Sequence, residues 1–281
     1  MYSEFFKLRA NPFSETPETK FFFKAASHVR AIDTLMTSIK SGKGFTAVTG
    51  EVGVGKTIVS RLMLNYLAKL TPTALILNPV VNQHELLRAI RGEFRLSRPA
   101  DGSFQSEHDE LAKFLLSTAK AGKRSVLIID EAQRLTFEGF ECVRLLSNLE
   151  TESKKLLQII LVGQPELKDK LESFDLRQLN QRISSRAVID PLGESETEFY
   201  IKHRIEIAGG ANFVRFESDA VKAITKASGG VPRLINQYCE KSLEIAGQMN
   251  KRLIDAKMVK QALAGPSMSL WRLPFPKGPQ V

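Results

Sequence analysis

The chain has 281 residues, 43% hydrophobic and 25% charged, which excludes disorder as its main state and allows one large domain or a core domain with an appendage. No run approaches the roughly 20 uninterrupted apolar residues of a membrane-spanning helix, and residues 1–10 carry charges where a signal peptide needs an apolar core. The net charge of +9 is spread along the sequence rather than gathered into the block typical of a nucleic-acid binder, and the reading is of a cytoplasmic protein.

In chain order, the first strong signal is the apolar stretch 44–49, read as a strand, followed by Gly50, Glu51, Val52, Gly53, Val54, Gly55, Lys56, Thr57 and Ile58. The first eight of these satisfy the G-x-x-x-x-G-K-[ST] pattern, and the strand before and helical periodicity after supply the context that the motif requires. Its glycines let the backbone wrap an anion, its amides and helix N-terminus carry partial positive charge, and Lys56 reaches the β- and γ-phosphates of a nucleoside triphosphate. Thr57 offers a hydroxyl to magnesium. Helices are expected over 57–69, 82–93, 106–121, 136–151 and 165–170, and further strands over 73–77, 125–130, 156–162 and 184–189. Strands alternating with helices predict an α/β fold with a parallel five-stranded sheet.

The third of these strands ends in Val126-Leu127-Ile128-Ile129-Asp130-Glu131. Asp130 is placed to hold magnesium, and Glu131 to act as general base on the attacking water, an acid that a pure nucleotide switch would not need there. After Pro191 no strand pattern appears. Helical patterns over 195–208, 218–228, 231–248 and 255–264 predict a small all-helical domain, with Gly209, Gly210, Gly229 and Gly230 as helix stops and Ser195 with Glu198 at capping-box spacing. The domain limits are thus 1–190 for the nucleotide-binding α/β domain, 191–264 for the helical one, and 265–281 for a Pro-rich flexible tail in which Trp271 is a candidate partner contact. Cys142 and Cys239 read as small core residues, and the four histidines are too scattered for metal spacing.

Gly50–Thr57, Asp130-Glu131-Ala132-Gln133 and the trailing helices together resemble an AAA+ ATPase with a helical lid. Asn11-Pro12-Phe13, Phe21-Phe22-Phe23 and His28, then Leu145-Leu146-Ser147-Asn148-Leu149-Glu150-Thr151, Gly163-Gln164-Pro165-Glu166-Leu167 and Leu176-Arg177-Gln178-Leu179-Asn180-Gln181-Arg182-Ile183, are similar to the ExeA/GspA group of secretion ATPases and its pilus-biogenesis relative MshM. The resemblance implies ATP as the nucleotide, magnesium as cofactor, and a homo-oligomeric ring or filament that drives assembly of a type IV (MSHA-like) pilus or a general secretion apparatus. It implies Gln164 as sensor of the γ-phosphate and Arg233 as the lid arginine. Arg182 or Arg186, with Arg177 as a third choice, is the implied finger that reaches the next subunit's nucleotide. Pro12 and Phe13, opposite Tyr200 and Ile201, would wall the adenine side. Members of the GspA type continue into a transmembrane helix and a peptidoglycan-binding domain, whereas this sequence stops at Val281, so the expected organisation is nearer MshM: peripheral at the inner membrane through pilus or secretion membrane proteins. DNA-binding transposition regulators of the TniB/TnsC kind share the same core and are the alternative; a nucleotide-gated switch without steady turnover is a third.

Overall fold

The protein is described here from a computed structural model over residues 2–79, 82–151 and 155–264. Trp271 and the rest of the tail lie outside the described residues. By contact the chain divides into an α/β unit, Pro17–Pro191, and a helical unit made of the residues up to Thr16 and those from Leu192 onward.

The α/β unit contains the five strands β1 Phe45–Gly50, β2 Thr73–Ile76, β3 Ser125–Ile129, β4 Leu157–Gly163 and β5 Ile183–Ile189. All pairings are parallel, in the order β2-β3-β4-β1-β5. Alternate residues of the central strands serve two cores. Leu127, Ile129, Ile159 and Leu161 face one, with helices α4 Gln83–Glu93, α5 Phe104–Lys120, α6 Phe137–Ser147 and α7 Pro165–Glu172; Val126, Ile128, Ile160 and Val162 face the other, with α2 Ala26–Ser41 and α3 Lys56–Leu67. Double-sided burial is why β3 and β4 read as unbroken apolar runs. β5 is an edge strand whose Ser184, Arg186 and Val188 are exposed, hence its alternating pattern. Because β1 lies between β4 and β5 while the chain leaves it for β2 at the far edge, a crevice opens beyond its C-terminal end.

Two helices of this unit escaped the sequence reading, α2 and the short α8 Arg177–Arg182. The fully buried residues of α2 are Ser27, His28, Ala31, Leu35 and Ser38, with Ile32, Met36 and Ile39 packed beside them on the core, so apolar and small polar residues share the face toward the sheet.

In the helical unit, α1 Tyr2–Phe5 joins α9 Glu194–Ile207, α10 Ser218–Ser228, α11 Pro232–Gln248 and α12 Ala256–Leu263. The N-terminal assignment differs from the expectation that residues 1–190 form one domain. The segment 2–14 packs on the helices: Phe6 and Phe13 are 0% and 2% exposed, Phe13 meets Phe216 edge-on at 6.2 Å, and Glu240 accepts hydrogen bonds from Tyr2 at 2.5 Å and Asn11 at 3.0 Å. Two-residue strands β6 Arg215–Phe216 and β7 Leu253–Ile254 also pair here in parallel, too short to leave a periodic signal. The N-cap of α9 is Gly193, whose N–H donates to Glu196 at 3.2 Å, not Ser195 with Glu198. Gly209, Gly229 and Gly230 do adopt positive φ at helix ends, and at Gly230 a Cβ would lie 2.0 Å from the Leu192 carbonyl oxygen. Cys142 and Cys239 are free and buried, and burial pushes the Cys142 thiol up to about 12.

Arg204 on α9 holds the N-terminal segment. It is 7% exposed and donates to the carbonyls of Pro12 and Ser14 and to the Tyr200 hydroxyl at 2.8 Å. Arg204→Met leaves buried carbonyl oxygens without a donor and lowers stability by about 2–4 kcal/mol. Denaturant unfolding checks the magnitude and amide exchange over residues 2–14 checks the location; parental values for both would show that the guanidinium contributes nothing to the packing.

Candidate functional site

The phosphate loop begins where β1 ends. Gly50 sits against β5, where a Cβ would come within 2.5 Å of the Ile189 carbonyl oxygen, and Gly53 and Gly55 take φ of 83° and 108°, conformations that side chains disfavour. A Cβ on Gly55 would also lie 2.8 Å from Nε2 of His28, which is 2.9 Å from the Val54 carbonyl oxygen. His28 is therefore a buttress of the phosphate loop, 4% exposed and edge-on to Phe22. Lys56 opens α3, with Ile58 following Thr57 on the same helix, and donates from Nζ to the carbonyls of Gly50 at 2.8 Å and Glu51 at 2.9 Å. Burial pushes the Lys56 pKa down, against the attraction of Glu131 and Asp130. Val52 and Glu51 are exposed at the loop tip.

Beside the loop, β3 ends and delivers Asp130, 1% exposed, whose Oδ1 accepts the Glu131 N–H at 3.0 Å. Its Oδ2 is buried without a hydrogen-bond partner, and burial raises the carboxyl pKa against the lowering effect of the nearby Thr57 hydroxyl. A hydroxyl beside an orphaned carboxylate oxygen is a hard-oxygen donor set of the kind magnesium takes along with phosphates and water, so these residues fit the cation. Among the described residues no group of three or more His, Cys, Asp or Glu forms a larger metal site.

Glu131 stands in the left-handed region at φ 55°, a conformation costing a non-glycine residue on the order of 1–3 kcal/mol. Its Oε2 accepts from Gln133 Nε2 at 2.7 Å and from Gln164 Nε2 at 3.1 Å. Gln164 follows β4 as N-cap of α7, and its backbone N–H donates to Gln133 Oε1 at 3.1 Å. The loop 50–57, Asp130, Glu131 and Gln164 thus meet at the C-terminal edge of the sheet. Gln133 was not assigned a role from sequence; its position two residues after the paired acids was the available signal.

Within the α/β unit the candidate finger arginines have other partners. Arg182, at the end of α8, donates to Ser147 at 2.7 Å and Asn148 at 2.5 Å; Arg186 on exposed β5 donates to Asn180; Arg177 lies 4.3 Å over the ring of Phe174, which is 75% exposed. Arg233 is exposed in the first turn of α11 in the helical unit, where no acid offsets it and a cation opposes the helix dipole. Pro12, Phe13, Tyr200 and Ile201 do not form an open apolar wall. All four are buried in the helical unit, with Tyr200 bonded to Asn236 at 2.8 Å.

A five-stranded parallel sheet of this order, with a phosphate loop after β1 and paired acids after β3, the two strands separated by β4, is the AAA+ P-loop fold. Residues 39–171 match the AAA domain family, and the fold is similar to that of the Aeropyrum pernix ORC2 protein, with a TM-score of 0.65 at 17% identity over 90% of this chain and 70% of that one. Within that class the chain is similar to general secretion pathway protein A of Aeromonas hydrophila, being 42% identical over 243 residues, which are 86% of this chain and 44% of that protein. The chain therefore spans less than half the length of that relative. An uncharacterized HTH-type transcriptional regulator of Methanocaldococcus jannaschii is 26% identical over 92% of this chain and 72% of its own length. The resemblance to the ExeA/GspA group drawn from the motifs thus rests on sequence identity along most of the chain. No helix among the described residues is long and apolar enough to cross a membrane.

Proposed function

We propose that the protein is a magnesium-dependent ATPase that works as a nucleotide-dependent homo-oligomer in assembly of a type IV (MSHA-like) pilus or a general secretion apparatus. The observation that carries the enzymatic part is the convergence of Lys56, Asp130, Glu131 and Gln164 at one sheet edge. Phosphates lie on the loop amides and Lys56, Thr57 and Asp130 hold the cation, and Glu131 takes a proton from the attacking water while Gln164 positions it. Bound there, magnesium neutralises charge on the phosphate oxygens. The secretion part rests on the 42% identity to general secretion pathway protein A. In this reading the nucleotide-binding domain is Pro17–Pro191, the lid is the unit formed by the residues up to Thr16 and those from Leu192 to 264, and 265–281 is the tail. The protein works on the cytoplasmic side, peripheral to the inner membrane through its pilus or secretion partners.

Arg182 and Arg186 are exposed and bonded to Ser147 and Asn180 rather than to the phosphate loop, which suits a finger acting on a neighbouring subunit. Turnover per subunit then climbs with protein concentration, and Arg182→Ala or Arg186→Ala lowers it about 10³-fold or more without weakening ATP binding by the monomer. The decisive assay measures ATP turnover against protein concentration, with and without double-stranded DNA, at two salt concentrations. A concentration-dependent rate indifferent to DNA supports the secretion or pilus reading. Strong, salt-sensitive stimulation by DNA replaces it with the transposition-regulator reading.

A further inference from the structure

We infer that Gln133 is a positioning residue for ATP hydrolysis, which sets the Glu131 carboxylate and couples it to the segment that carries Gln164. The inference rests on the ATPase reading above. Gln133 spans a fixed donor and a fixed acceptor: the Gln164 backbone N–H can only donate, and the ionised Glu131 carboxylate can only accept. The amide orientation follows from those partners, with Oε1 toward Gln164 at 3.1 Å and Nε2 toward Glu131 at 2.7 Å. Glutamine meets both needs with one planar group, whereas glutamate lacks the donor and methionine lacks both.

Three further features fix this arrangement. Both hydrogen bonds to the Glu131 carboxylate among the described residues fall on Oε2, leaving Oε1 as the oxygen to take a proton from water. Gly163, at the end of β4, makes room for the amide, since a Cβ there would lie 2.8 Å from Gln133 Oε1. The backbone of Gln133 is held as well, because Lys170 in the last turn of α7 donates to its carbonyl at 2.5 Å and to that of Leu135 at 3.3 Å. Both ends of α7 therefore grip the loop that carries Glu131, through Gln164 at one and Lys170 at the other. The left-handed backbone at Glu131 makes its side-chain direction depend on that grip.

The test uses the full chain with ATP and magnesium, and the variants Gln133→Glu and Gln133→Met, each made in the parent and in Glu131→Gln. In the parent background kcat falls about 10- to 100-fold, the worth of one hydrogen bond to a charged group, while KM for ATP stays within about threefold. In the Glu131→Gln background the same substitutions change the residual single-turnover rate by less than about twofold, since Gln133 acts through the carboxylate already removed. Parental kcat in both Gln133 variants overturns the inference, and so does an equal loss in both backgrounds, which would mark a structural role. Parental turnover in Glu131→Gln alone would instead overturn the assignment of the base. Should Gln133→Met fail to fold, Gln133→Glu keeps the length and the acceptor and carries the same test.

Discussion

Lys56→Ala abolishes ATP binding at concentrations that saturate the parent, a loss of at least about 100-fold in affinity. Two contributions combine. The ammonium is held within the phosphate loop, and removing a charge-assisted partner from a phosphate costs about 10- to 100-fold by itself. The loop also loses its internal tie, because Nζ spans the carbonyls of Gly50 and Glu51 at 2.8 and 2.9 Å, across the turn in which Gly53 and Gly55 hold positive φ. A loop freed of that tie must be ordered by the nucleotide, which adds an entropic cost to binding. Folding is affected in the opposite sense. Lys56 is 5% exposed and burial lowers its pKa, so its charge is held in place at a desolvation cost that alanine removes. Nucleotide affinity measured by calorimetry, beside the unfolding midpoint without nucleotide, separates the two effects: affinity collapses while the midpoint moves little. Parental ATP affinity in Lys56→Ala would remove the phosphate-site assignment altogether.

What the sequence made legible follows from where the chemistry is local. The phosphate loop and the strand ending in Asp130 and Glu131 are contiguous motifs whose apolar runs and glycines are demanded by burial and backbone geometry at those positions. The five strands were read to within a residue or two of their observed limits for the same reason. Helix α2 was overlooked although Ile32, Leu35, Met36 and Ile39 recur in it at helical spacing, because Ser27, His28 and Ser38 share its buried face and dilute that stripe. The place of the N-terminal segment was also hidden, since it is set by Arg204 and Glu240, some 190 to 238 residues away in sequence. The role of Gln133 depends on Gln164, 31 residues on, brought beside it by the pairing of β3 and β4. Local periodicity carries no information about such meetings; strand order does.

Glu131→Gln separates binding from turnover. The substituted amide keeps the size of the carboxylate, and its oxygen can accept the bonds that Gln133 and Gln164 donate to Oε2, so the loop and its left-handed residue are retained. The amide nitrogen then falls where Oε1 stood, and a nitrogen that donates cannot take a proton from water. Turnover therefore drops by about 10²- to 10⁴-fold, the contribution of a general base, with ATP affinity preserved. Affinity has a reason to rise as well. Asp130 and Glu131 place two carboxylates beside incoming phosphates, and the charge of Glu131 adds to burial in raising the Asp130 pKa, so a neutral residue removes one source of repulsion. ATP accumulates uncleaved on the protein, and if oligomers form around bound ATP they persist instead of cycling. Mixing the variant with radiolabelled ATP, separating oligomer from monomer by size, and counting ATP against ADP in each fraction reads all of these consequences at once. Parental turnover, or an oligomer filled with ADP, would mean that another group removes the proton and that the paired acids serve the cation alone.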